Sequence, residues 1–357
     1  MSDRMYPRIV ISKQKLVENT NQIIQMAKNN HIPFITMVVK AFAGDKEIVK
    51  VLEQTNITCI GDSRIQNLIT FNDLSFHHKM LLRIPMLSEV SDVIKYADIS
   101  LNSELKVIKA LNEEAKKQNK NHAILIMFDI GDLREGIYYT SDYLPLIKEI
   151  LQLDHIVLKG IGTNLTCYGG LVPSKAILSR LVNIKNNIES NLNIKLDIIS
   201  GGNSSSVTLF DKHIIPKEIN HLRLGESILF GKETSYSTNI EGLNHNVFSF
   251  EAEIIELKEK PSYPDGEISI NSFGEKPVIE DLGLMKRAIL AIGKQDTILS
   301  NLDPVDKNIK IIGGSSDHLI LDVTKSDYKL GDIVKFNINY PALVHLMNSS
   351  YIKKVYK

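Results

Sequence analysis

The chain has 357 residues, enough for about two domains, and its 42 basic and 42 acidic side chains leave a formal net charge of zero. No global basic field is available to hold nucleic acid or an anionic membrane, so neither is expected as a partner. Apolar residues make up 43% of the chain, and unbroken apolar stretches such as Ala123 to Phe128 fall far short of the ~20 residues of a membrane span.

The N-terminus, Met1-Ser2-Asp3-Arg4-Met5-Tyr6-Pro7, lacks the apolar stretch of a secretory signal. Only two cysteines occur, Cys59 and Cys167, so neither a disulfide framework nor a Cys-based zinc site is expected. The expectation is a cytoplasmic protein with reduced thiols.

Arg8 to Ile11 reads as a short strand able to join either of two domains. From residue 34 onward, β-rich apolar runs alternate with polar, helix-like stretches. The runs are Phe34–Val39, Ile57–Ile60, Lys79–Ile84, Asp98–Leu101, Ala123–Phe128, Ile156–Gly162, Leu196–Ser200 and His221–Leu224. Between them, Ile177, Leu181, Ile184 and Ile188 fall on one helical face, and Ser103 and Ser174 suit N-caps. Such alternation predicts parallel strands joined by right-handed crossovers, and eight units fit a (β/α)8 barrel over residues 1–239. After residue 240 the texture becomes strands without long helices: 247–257, 268–270, 287–292, 309–312, 318–323 and 332–338. Turn signals at Pro264-Asp265-Gly266, Gly313-Gly314 and Leu330-Gly331-Asp332 separate them. The expected second domain is thus a C-terminal β-domain, 240–357.

In such a barrel the residues that end each strand form the functional face. The first run ends Val38-Val39-Lys40-Ala41, placing a lysine among apolar neighbours. Desolvation there lowers a lysine pKa and frees the amine for Schiff-base chemistry; the alternative is a lysine snorkelling from a strand end. The seventh run ends Ser200-Gly201-Gly202-Asn203-Ser204-Ser205-Ser206, whose hydroxyls and backbone N–H groups can hold a phosphate or simply cap a turn. The eighth ends Leu222-Arg223-Leu224-Gly225-Glu226, with a fixed cation for the mouth or for an ion pair. Asp129 to Gly136 and Gly162 to Gly169 supply Arg134 and Asn164. One lysine, a phosphate-type loop, two arginines and an asparagine gathered at one mouth are what pyridoxal phosphate requires.

These segments, with Asp62-Ser63-Arg64-Ile65-Gln66-Asn67, Leu82-Arg83-Ile84-Pro85-Met86, Gly131-Asp132-Leu133-Arg134-Glu135-Gly136, Asn164-Leu165-Thr166-Cys167-Tyr168-Gly169 and Ser315-Ser316-Asp317-His318-Leu319, resemble the alanine-racemase-like, fold-type III pyridoxal phosphate enzymes along essentially the whole chain. The resemblance implies a cofactor-binding barrel followed by a β-domain, in a head-to-tail homodimer with shared active sites. It makes Lys40 the lysine that carries the cofactor as an aldimine. Asn203, Ser204, Gly225 and Glu226 become its phosphate cup, Arg223 the cation facing the ring nitrogen, and Arg134 the arginine near the phenolate and substrate carboxylate. Tyr356 is in register with a phosphate-contacting tyrosine. Asn164 stands where relatives have a ring-stacking histidine, and Met127 where many have a carbamylated lysine.

Racemisation moves protons on both faces of Cα, and relatives use a tyrosine opposite the lysine. The matching stretch here, Ala291-Ile292-Gly293-Lys294-Gln295-Asp296, has none. Lys294, His318, Asp317 and Cys167 are the candidates for the second base. The expected function is an amino-acid racemase acting on ornithine, with lysine, arginine or alanine as other substrates, and Glu226, Asp132, Asp296 or Asp317 facing a distal ammonium. A non-catalytic pyridoxal phosphate carrier and a lyase or decarboxylase are the competing classes. No metal-ligand cluster is recognisable.

Overall fold

In the computed structural model, residues 5–357 are described. The chain divides into two compact units, Lys13–His245 and the residues up to Ser12 together with Asn246–Lys357.

The first strand, β1 (Arg8–Ile11), belongs to the second unit. In the first unit, β2 (Phe34–Val38), β3 (Cys59–Asp62), β4 (His78–Leu81), β5 (Ile99–Asn102) and β6 (His122–Asp129) run parallel. A two-residue strand, β7 (Ile137–Tyr138), lies off β6; then come β8 (Ile156–Gly162), β9 (Ile198–Ser200) and β10 (His221–Leu224). Their order is β5-β4-β3-β2-β10-β9-β8-β6, and β6 pairs back to β5, closing an eight-stranded parallel barrel.

The eight expected runs map onto these strands because each is buried on both faces, inside by barrel side chains and outside by helices, and so reads as continuous apolar sequence. Cys59, Met80, Ile99, Leu101, Leu125 and Met127 form one buried cluster from β3 to β6. Between strands, the helix Lys175–Leu192 buries Leu181, Ile184 and Ile188, and Ser174 Oγ caps it by accepting from the Ile177 N–H at 3.2 Å. Ser103 is not a cap: the helix Leu105–Lys117 starts one residue later, from Glu104, without a side-chain cap bond.

In the second unit β11 (Phe248–Pro261) is long enough to serve two partners. Its first half pairs antiparallel with β1 and β16 (Ile333–Ile338), and its second half with β12 (Leu284–Leu290), with an irregularity between Ile254 and Glu256. The short β13 (Leu302–Pro304) edges β16; β14 (Lys310–Gly314) and β15 (Leu319–Asp322) extend the other side; β17 (Lys353–Tyr356) pairs parallel with β1. No strand forms at 268–270, which is an exposed connection. A helix, Tyr340–Asn348, follows the last expected strand in a stretch to which the sequence assigned no element; Asn339 accepts from the Ala342 N–H at 3.1 Å and Pro341 occupies its first turn. No helix among the described residues is long and apolar enough to cross a membrane.

Candidate active site

Strands β2, β10 and β9 are consecutive in the barrel, so their C-terminal ends bring Lys40, Arg223 to Glu226 and Asn203-Ser204 to one face. Lys40 follows β2 and begins a short 3-10 turn to Phe42. Its side chain is exposed and makes no hydrogen bond or salt bridge to any described residue. The burial expected of it is not found: its apolar neighbours Val38, Val39 and Ala41 are buried, whereas the lysine side chain is exposed.

The β9 loop is set by Gly202, whose φ of +109° a side-chain-bearing residue rarely adopts. This turns Asn203 and Ser204 onto the face. Ser204 is 3% exposed, and its hydroxyl accepts from the Gly225 N–H at 3.3 Å and the Ser227 N–H at 3.1 Å. A Cβ on Gly225 would sit 3.2 Å from Val38, so a larger residue would close the space between β10 and β2. Beside them the Ser205 Oγ is buried without a hydrogen-bond partner among the described residues. An uncommitted amine on one strand end and a cradle of hydroxyls and N–H groups two strands on fit an aldehyde-bearing phosphate ester such as pyridoxal phosphate.

Arg223 is buried, and its guanidinium donates to Ser200 Oγ and, at 2.6 Å, to the Thr163 carbonyl. It has no carboxylate partner among the described residues, and burial lowers it to about 10, still a cation at neutral pH. The expected alternative, an ion pair with Glu226, does not form. The carboxyl of Glu226 makes no hydrogen bond or salt bridge to a described residue, and burial, with Glu233 nearby, raises it to about 7.

Arg134 pairs instead with Glu135, NH2 to Oε1 at 2.7 Å. Burial works to raise the Glu135 carboxyl, but the bonds from Arg134 and Asn164 outweigh it and hold it below the usual range. Asn164 Nδ2 donates to Glu135 Oε1 at 2.9 Å while its Oδ1 faces Asn203 Nδ2 at 3.1 Å, and Asn203 Nδ2 also approaches Cys167 Sγ at 3.1 Å. A polar chain thus runs Arg134–Glu135–Asn164–Asn203. Sequence reading named three of its members and missed Glu135, although its place beside Arg134 was a signal.

Two of the acids weighed for a distal ammonium are already occupied. Asp132 is buried and accepts from the N–H groups of Thr166, Leu171 and Tyr168 at 3.0, 3.0 and 3.2 Å, shaping the β8 loop. In the other unit Asp296 is buried against Ser349 Oγ at 2.8 Å.

That other unit also holds the remaining candidates. The 293–297 and 315–318 loops are tied by the Lys294 N–H to Ser315 O and the Gln295 N–H to Ser316 O. The amine of Lys294 is committed to Glu275 at 2.8 Å and lies over the Phe273 ring. His318 Nδ1 sits 3.0 Å from Asp317 Oδ1, a pairing that leaves Nε2 as the outward nitrogen. The Ser315 hydroxyl donates to that carboxylate and, with the other bonds on Oδ1, lowers Asp317 below the usual range. Tyr356 lies in β17, beside Ile11 of β1.

A closed parallel barrel with a lysine and a phosphate-type cradle at its mouth, accompanied by an antiparallel β unit, is the architecture of the alanine racemases. Residues 11–233 match the family described as Alanine racemase, N-terminal domain, and the chain belongs to it. Among named relatives, the chain is 50% identical to the ornithine racemase of Acetoanaerobium sticklandii over 98% of this chain and 99% of that protein. It is 37% identical to the lysine racemase of Thermotoga maritima over 99% of each. Among solved structures, the alanine racemase of Clostridium difficile 630 superposes with a TM-score of 0.79 at 19% identity, covering 100% of this chain and 97% of that one; at that identity it shows the fold.

Proposed function

We propose that this chain is a pyridoxal 5'-phosphate-dependent racemase that interconverts L- and D-ornithine, acting in the cytoplasm. The observation that carries the reading is the uncommitted amine of Lys40 at a barrel mouth whose neighbouring strand ends form a phosphate cradle. The near full-length identity to an ornithine racemase supports the substrate.

In this reading Lys40 would hold the cofactor. Ser204, with Asn203 and the backbone of Gly225 and Glu226, holds its phosphate, and Tyr356 adds a contact. When bound, the cofactor supplies an electron sink for the charge left on Cα as its proton departs. Arg223 would face the ring nitrogen. A guanidinium does not readily give up a proton, so Arg223 would leave that nitrogen unprotonated and limit the spread of charge away from Cα. Asn164 lines the ring, and Arg134, fixed by Glu135, orients the substrate carboxylate.

Lys40 Nζ takes or returns the proton on one face of Cα. For the other face we assign His318, with Asp317 holding Nδ1 and so presenting Nε2. The commitment of Lys294 to Glu275 supports the choice. We also infer a homodimer with shared active sites. The exposed Leu133 and Tyr168 on the mouth loops, 64% and 74% exposed, suit cover by a second copy.

The test is incubation of the cofactor-loaded protein with L-ornithine in D2O, following Cα deuteration and chirality together. Deuteration with loss of optical purity is expected. Exchange without inversion in His318→Gln places His318 on the second face; unimpaired inversion there moves that role to Cys167 or Lys294. The lysine racemase relative makes L-lysine the second substrate to run, and faster turnover with it would reassign the substrate. Absence of exchange with either would leave a cofactor carrier. Light scattering of the loaded protein, expected at twice the chain mass, tests the dimer.

A further inference from the structure

His221 and Arg223 stand two residues apart on β10 and so share one face of that strand. Arg223 reaches past β9 to the Thr163 carbonyl beyond β8, so the shared face looks into the barrel. Thr36 of β2, Cys59 of β3 and Ser200 of β9 meet them there, all buried. The contacts form one line. Arg223 NH1 donates to Ser200 Oγ, which lies 2.8 Å from His221 Nδ1; His221 Nε2 lies 2.9 Å from Thr36 Oγ1, and Thr36 Oγ1 lies 3.1 Å from Cys59 Sγ.

The direction of that line is fixed at one end. A guanidinium has N–H donors and no acceptor, so the Ser200 oxygen must accept from Arg223. The Ser200 proton then has one acceptor among the described residues, the lone pair of His221 Nδ1. The imidazole proton therefore sits on Nε2 and is donated to Thr36, and the Thr36 proton goes on to the Cys59 sulfur. With a proton on Nδ1 instead, two donors would converge on Ser200, and its own buried hydroxyl proton would be left without an acceptor, the costly case for a polar group out of water. An imidazolium fails in the same way. Burial, with Arg223 beside it, lowers His221 to about 3, and burial raises the Cys59 thiol to about 12, so both stay neutral around neutral pH.

An apolar side chain would fill the place of His221 without burying a polar ring. What the imidazole adds is a fixed acceptor. Arg223 commits two of its five N–H groups, to Ser200 and Thr163, and the other three have no partner among the described residues. The two committed bonds set the plane of the guanidinium and with it the direction of the remaining three. We propose that His221, as the neutral imidazole protonated at Nε2, is a positioning residue for Arg223: by accepting the Ser200 proton at Nδ1 it keeps the Ser200 oxygen turned to the guanidinium and so fixes where Arg223 presents its unpaired N–H groups. The inference rests on the reading of Arg223 as the cation facing the cofactor ring, but its first test reads proton positions and not turnover.

That test is neutron diffraction from crystals of the full chain exchanged into D2O. A deuteron on His221 Nε2, none on Nδ1, and the Ser200 deuteron lying toward Nδ1 are expected; a deuteron on Nδ1 overturns the proposal. Two variants then separate positioning from the filling of space. An asparagine can place its Oδ1 near the site of Nδ1, whereas a glutamine carries its amide farther toward Thr36 and leaves Ser200 without its acceptor. In the loaded enzyme, His221→Asn is expected to keep kcat within about threefold of the wild type, and His221→Gln to lower it about tenfold with KM nearly unchanged and the cofactor's visible absorption shifted. Equal loss in both folded variants, or none in either, overturns the proposal; if neither folds, the deuteron positions decide. A chain with the expected deuterons that binds the cofactor and racemises nothing sustains the hydrogen-bonded line and refutes the proposed function instead.

Discussion

In the barrel unit, Arg223 is buried with only a hydroxyl and a carbonyl as partners, and Asp62 is buried beside an amide; in the β unit, Lys294 sits on Glu275 and Asp317 on His318 in exposed pairs. The first arrangement carries charges out of water without closing an ion pair around them, which costs stability and leaves unspent electrostatic capacity at the mouth. The second is a set of solvated pairs that cost little and contribute little. On this contrast, the proposed chemistry belongs to the barrel mouth, and the β-unit pairs named here are solvated surface contacts, with Asp317–His318 as the proposed exception.

The largest effect is expected at Lys40. Lys40→Ala should abolish the cofactor's visible absorbance and cut racemisation by at least about 10³-fold; retained turnover would remove the mouth's claim to the chemistry. Next, Ser204→Ala leaves the Gly225 and Ser227 N–H groups without their acceptor. At about 1–3 kcal/mol for unmade bonds, the cofactor should bind about ten- to a hundredfold more weakly by absorbance titration.

The pH dependence of stability sharpens the contrast further. Burial lowers His122 to about 4 and His221, helped by Arg223, to about 3. The unfolded chain takes up protons below about 6.5 while these folded imidazoles stay neutral. Stability is thus fully present above that pH and is lost as pH falls from about 6.5 toward 4 and then 3. The thermal midpoint should drop by several degrees over that range, less steeply in His122→Gln. Glu226 has the opposite sign: its folded value is raised, so its contribution is present at low pH and lost as pH rises from the ordinary carboxylate range through about 7. Glu226→Gln should therefore gain stability relative to the wild type as pH rises from about 5 to about 8. The smallest effect is expected in the β unit, where Lys294→Gln should change the unfolding free energy by less than about 0.5 kcal/mol. A cost comparable to that of Ser204→Ala would break the contrast.

The barrel was legible because strands covered on both faces must be apolar throughout, and eight such runs recur with helices between them. The helix Tyr340–Asn348 was less legible because it is short, and only Asn339 and Pro341 mark its start. At the site, residue types and strand ends placed Lys40, Asn203, Ser204 and Arg223 together, since chain order fixes strand ends. Pairings within the mouth were less visible. Arg223 reads as a partner for Glu226 until register shows Ser200 beside it, and Asp132 reads as a free acid until the β8 loop folds its N–H groups onto the carboxylate. Such partners lie far apart in sequence, and no local pattern encodes them.

The placement of β1 between β11 and β17 has a consequence for synthesis. Ile9 lies opposite Phe250 on one side and Lys354 on the other, and the Ser12 N–H reaches the Val247 carbonyl. The strand is made before the barrel strands, yet both its partners are made after them. The barrel can close while translation continues, whereas β1 must wait with Val10 and its neighbours unburied. A nascent chain of this protein therefore carries β1 as an unpaired edge until β11 and β17 have been made, and that interval is when aggregation or chaperone capture is expected to act.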